Sequence, residues 1–211
     1  MLSTNDYKSE DLRIKGIFDT INTTILFVSQ AYSHFYAYSF GEFSQEDSRR
    51  LKNEIFTFQT MTAQFFLVVQ FCKLLENQVN GDEGESSLYK LNNLLRKKYP
   101  TDFSWHSQNV QTLKEIRKTK IFVLLTDLRN KSYGHSDNHP LNTPLKFIFF
   151  NEAQSIEFKG IFLKAIDVFK NCYRLYDIGT GFHHFYDSNS ALNFLKGYLR
   201  GKEALQRKIR K

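Results

Sequence analysis

Arginine, asparagine and histidine stand within one short stretch, Arg129-Asn130-Lys131-Ser132-Tyr133-Gly134-His135. The planar guanidinium of an arginine offers two parallel donors that match a pair of phosphate oxygens. Histidine is the side chain whose unperturbed pKa lets it give or take a proton near neutrality. A carboxamide can orient either group through its own donors and acceptor. Together these types make a minimal set for cutting a phosphodiester without a metal, by proton transfer and by stabilising charge on phosphoryl oxygens.

Such chemistry needs an element that aims the side chains. Apolar spacing predicts a helix over residues 107–133, with Ile121, Leu124, Leu125 and Leu128 on its core stripe. At about 100° per residue, Arg129 lies roughly 80–90° from the centre of that stripe, on a flank shared with Lys118, Phe122, Thr126 and Tyr133. A face mixing aromatics and cations suits a partner helix or a groove for a base and its phosphate. In an unbroken helix His135 would diverge from Arg129 by about 120°. Gly134 allows the chain to turn there, because glycine adopts left-handed angles cheaply, and so re-aims the imidazole. Asp137 is placed to polarise the ring nitrogen opposite the reacting one.

The rest of the chain also has helical spacing. Ile14, Ile17, Phe18, Ile21, Ile25, Val28, Tyr32 and Phe35 mark one long helix, which Gly41 interrupts. Ser44-Gln45-Glu46-Asp47 resembles a capping box that opens a second long helix, with core positions at Leu51, Ile55, Phe58, Phe65, Val69 and Cys72. Residues 80–87 read as an exposed acidic loop. A shorter helix runs over 87–98 and stops at Tyr99-Pro100. Residues 134–144 read as irregular, and 145–150 as an extended piece or buried loop. Helical spacing returns at Phe158, Phe162, Ala165, Ile166, Phe169 and Tyr173, and Ser188 is placed to cap a last helix with Leu192, Leu195 and Leu199. The expected fold is all-α, an up-and-down bundle of five to six helices forming a single domain over 1–211.

Composition narrows the function classes. The 211 residues suffice for one domain with a core, and 41% hydrophobic with 24% charged residues is ordinary for a soluble protein. The 21 Phe and 11 Tyr fit a helical core, an apolar interface or a codon bias. Cys72 and Cys172 sit in apolar helical patterns, which predicts two buried thiols in a reducing cytoplasm rather than a disulfide. The polar N-terminus does not read as a signal peptide, and the apolar run at 65–72 is too short to span a bilayer. A net charge of +7 is compatible with a polyanionic partner. Its excess is concentrated in the last sixteen residues, where Lys196, Arg200, Lys202, Arg207, Lys208, Arg210 and Lys211 face only Glu203. Such a tail can neutralise phosphates or serve as a solvated face.

The string Leu128-Arg129-Asn130-Lys131 with Gly134-His135-Ser136-Asp137 resembles the HEPN superfamily, in its abortive-infection and toxin-like branch. That family's signature is an Arg, four to six residues and a His, often with Asn, Asp or His directly after the Arg. The resemblance covers about a dozen residues, and the long-helix layout agrees over the rest. It implies a metal-independent, cofactor-free endoribonuclease whose motifs meet in a composite cleft between two copies, and hence a homodimer. Arg129, Asn130 and His135 would be catalytic, while Tyr133, Lys131 and Asp137 would meet substrate, and Phe122 would stack a base or pack the dimer. The implied partners are RNA, as tRNA or mRNA, and an antitoxin that restrains the enzyme; no membrane is implied. The implied roles are phage defence or toxin–antitoxin activity in the cytoplasm.

Two other classes compete. In a noncatalytic interaction or RNA-binding module of the same fold, Arg129 would form a structural ion pair and His135 a helix-end cap. A metal site would draw on His135, Asp137 and His139, with His183 and His184 nearby. Against it, the paired Glu-x-x-His motif of di-iron bundles is absent. His34 and His106 read as surface or core-edge residues.

Overall fold

The computed structural model describes residues 4–51, 54–77, 86–100, 103–130 and 150–176. Among them are seven helical segments and no strand, so the chain is an all-α helical bundle. The segments are α1 (Thr4–Phe40), α2 (Gln45–Leu51), α3 (Glu54–Leu74), α4 (Leu88–Lys98), α5 (Phe103–Lys118), α6 (Lys120–Leu128) and α7 (Glu152–Tyr176). The last helix expected from Ser188 and the basic C-terminal stretch lie outside the described residues.

The ends of these helices follow local chemistry. Ser44 Oγ accepts from the Asp47 backbone N–H at 3.1 Å and donates to the Asp47 carboxylate at 2.8 Å, which opens α2. Buried Ser87 caps α4, its Oγ accepting from the Lys90 N–H at 3.2 Å. Tyr99 closes that helix, its N–H reaching the Leu95 carbonyl at 2.8 Å.

The helix expected over 107–133 is two helices. Thr119 has extended angles, φ −69° and ψ 146°, and interrupts the ladder between α5 and α6. Its hydroxyl accepts from the Phe122 N–H at 3.3 Å and donates to the Ile116 carbonyl at 2.7 Å, so one threonine serves both helix ends. Lys118 therefore belongs to α5 and does not share a helix flank with Arg129.

α1 packs along α3 more extensively than any other pair of helices, and α7 joins α5, α4, α1 and α6. The α1 stripe from Ile14 to Phe35 is buried as its spacing requires, and so are Phe158, Phe162, Ala165, Ile166 and Phe169 of α7. Aromatic rings join the layers. Phe71 of α3 meets Phe158 at 5.0 Å, Phe162 at 5.9 Å and Phe122 at 6.3 Å between ring centres. Phe18 meets Phe169 at 5.6 Å. Much of the Phe content thus fills the core.

The face that α3 buries matches the expected one only in part: Cys72 is buried as expected, but two of the expected phenylalanines are not. Phe58 is 68% and Phe65 40% exposed, while Gln64, Leu67, Val68, Phe71, Cys72, Leu74 and Leu75 are buried. Apolar residues occur on every side of this helix, so spacing alone names no face; contact with α1, α6 and α7 selects it. Buried Gln64 is held by the incoming chain, its Oε1 accepting from the Phe150 N–H at 2.9 Å.

A buried polar ladder ties α4, α5 and α7. Asn171 Nδ2 donates to Asn109 Oδ1 at 3.0 Å, and Asn109 Nδ2 donates to Asn92 Oδ1 at 3.1 Å. Asn92 Nδ2 in turn reaches the His106 carbonyl at 3.4 Å. Asn109→Ala should lower unfolding stability by about 2–3 kcal/mol, because it strands amide groups on two neighbouring helices. Urea unfolding measures this, and a loss under about 0.5 kcal/mol would show that the ladder contributes little.

Candidate functional site

The C-terminal end of α3 is where two arginines converge. Leu75 and Glu76 close the helix with tightened bonds, their N–H groups reaching Cys72 O at 3.2 Å and Lys73 O at 3.3 Å. Arg117, near the end of α5, donates from Nη1 to the Leu75 carbonyl at 3.1 Å. Its guanidinium lies 6.0 Å from the Tyr89 ring centre and 5.9 Å from that of Phe122. A cation there meets both an orphan carbonyl and the negative end of the helix dipole.

Arg129 arrives from α6. Its backbone N–H is shared between the Leu125 and Thr126 carbonyls, and the last turn widens to π-type geometry at Arg129 and Asn130. Its Nη2 donates to Glu76 Oε1 at 3.1 Å, and both side chains are about a third exposed, at 36% and 34%. The guanidinium therefore sits at the rim of the bundle, held on one side by a carboxylate and open in part to solvent. Asn130 is exposed.

Of the residues singled out by sequence, the structure thus places Arg129 and Asn130 together at one helix end. Lys131, Tyr133, His135 and Asp137 lie outside the described residues. Phe122 does not flank a groove: it is buried edge-on against Phe71 and beneath Arg117, so base stacking is closed to it. The reason is the start of α6 at Lys120, which turns Ile121 and Phe122 into the core together.

Glu76 was invisible to sequence reasoning. It stands 53 residues before Arg129 and just past an apolar helix, and no local pattern couples the two.

Cys72 lies one turn before Glu76. Burial pushes its thiol up to about 11, against a smaller lowering by Arg129. Cys172 is pushed up to about 12, again by burial. Neither is a nucleophile at neutral pH. Both should resist an aromatic disulfide reagent at pH 8 in the native protein and both should react in urea; rapid native labelling of either would contradict their burial. His106 is buried on α5 rather than at the core edge, and desolvation lowers its pKa, with Arg96 adding to the effect.

A groove of about 470 Å³ between α1 and α3 is lined by Phe27, His34, Tyr38, Phe58 and Phe66 among others. Its described lining holds one imidazole and neither a carboxylate nor a cation, so no acid–base pair lies there. Among the described residues, no group of three or more His, Cys, Asp or Glu gathers to hold a metal ion. His135, Asp137, His139, His183 and His184 lie outside them. No described helix is long and apolar enough to cross a membrane.

Fold and site define an all-α bundle with an arginine–carboxylate pair at the junction of two helix ends. Compared with protein-family models, with characterised proteins and with solved structures, the chain has no match.

Proposed function

We propose that this protein is a metal-independent endoribonuclease of HEPN type, a cytoplasmic toxin or phage-defence effector that cuts tRNA or mRNA. The observation that carries the proposal is Arg129-Asn130 at the end of an amphipathic helix, with Gly134-His135 following a few residues on in the sequence. The position of Arg129 at the bundle rim supports it, because a phosphate can approach there without entering the core.

In the proposed reaction an RNA 2′-hydroxyl attacks the adjacent phosphorus. The bond to the 5′ oxygen breaks, leaving a 2′,3′-cyclic phosphate and a 5′-hydroxyl. His135 takes or gives the proton, Arg129 stabilises the charge developing on the phosphoryl oxygens, and Asn130 positions phosphate or imidazole. Lys131, Tyr133 and Asp137 complete the surroundings. The cleft is composite, so the working form is a homodimer, and an antitoxin restrains it.

The test is incubation of the purified protein with tRNA and mRNA in the presence of a chelator. Fragments ending in 2′,3′-cyclic phosphate are expected, from a species that sizes as a dimer. RNA left intact at stoichiometric protein would sink the proposal, and a strict monomer would remove the composite cleft.

One observation favours a second reading, a noncatalytic interaction or RNA-binding module. Arg129 already has a carboxylate partner in Glu76, as a structural ion pair requires. RNA bound but uncut by wild-type protein would select that reading.

A further inference from the structure

The geometry points to Glu76 as the positioning residue of the Arg129 guanidinium, an inference that rests on the ribonuclease reading. An arginine side chain carries much rotamer freedom, and a phosphate grip works only when its fork is already aimed. Two features restrict Arg129. Its backbone is held by an N–H shared between two carbonyls, and its Nη2 is held by Glu76 Oε1 at 3.1 Å.

Glu76 is itself fixed from behind. Its own N–H is spent on Lys73 O at 3.3 Å, and Arg117 clamps the preceding carbonyl at 3.1 Å. The carboxylate therefore projects from a closed helix end instead of a loose one. Among the described residues the guanidinium is bonded through Nη2 to Glu76, which leaves it a second two-donor edge of the kind that matches two phosphate oxygens. Glu76 touches neither substrate nor reacting atoms; it acts through Arg129.

The experiment is a double-mutant cycle on RNA cleavage, with kcat, KM and melting temperature measured for wild type, Glu76→Ala, Arg129→Ala and the double variant. Glu76→Ala should lower kcat by roughly 10–100-fold with KM changed by less than about 2-fold, as expected for a misaimed group. Glu76→Gln keeps an acceptor of the same shape and should recover part of that loss. In the Arg129→Ala background, Glu76→Ala should cost nothing further, because the group it positions is gone.

If Glu76→Ala does not fold, Glu76→Gln takes its place in the cycle. Losses that multiply independently, a change confined to KM, or faster cleavage by Glu76→Gln would each overturn the inference while leaving the ribonuclease standing. A wild type that cuts no RNA would overturn both.

Discussion

His135→Ala is expected to slow RNA cleavage by roughly 10²–10⁴-fold, the range for removal of a general acid or base. No other titratable group in the motif works as well near neutral pH, since Asp137 and Lys131 have unperturbed pKa values far from it on either side. Arg129→Ala is expected to lose roughly 10²–10³-fold through its charge-stabilising role. The two losses should not multiply, because both groups act on one transition state. Arg129→Ala also strips Glu76 of its partner, so its melting temperature must be read beside its rate. His135→Ala with undiminished cleavage and an intact helical spectrum would remove the motif from the mechanism.

Phe71→Ala should lower unfolding stability by about 3–5 kcal/mol, the usual cost of deleting a buried phenyl ring and leaving its cavity. Phe71 is 0% exposed and touches rings from α6 and α7. Those helices cannot collapse into the space without moving each other, which places the cost toward the upper end. For a chain of this size that is a fall in melting temperature of roughly 6–20 °C. Because Cys72 and Glu76 follow on the same helix end, cleavage should fall as well, and should recover on cooling where the bundle refolds. A melting temperature within about 2 °C of wild type would mean that the three-way ring junction carries little of the stability.

The α1 stripe from Ile14 to Phe35 and the α7 stripe from Phe158 to Phe169 were legible because each recurs at the helical period against polar residues, and burial follows that contrast. The Ser44 cap was legible for a related reason: a cap depends on a few consecutive residues. The break at Thr119 was less so, with no glycine or proline to mark it. It left one trace. The buried positions His106, Asn109, Leu113 and Ile116 extrapolate to Lys120, Val123 and Asp127, all exposed, whereas Ile121, Phe122, Leu125 and Leu128 are the buried ones. That slip in phase is what a restarted helix produces, with Thr119 as its cap.

The sequence by itself determined that the chain is helical, where several helices begin and end, and that Arg129 and Asn130 stand together at a helix end. These properties follow from hydrogen bonds and side-chain periods that span a few residues. Only the tertiary structure decided which side of α3, with apolar residues all round, is buried, that Phe122 belongs to the core, and that Arg129 meets Glu76. Each of those depends on contacts between helices far apart along the chain, where packing against a neighbour rather than local spacing sets the outcome.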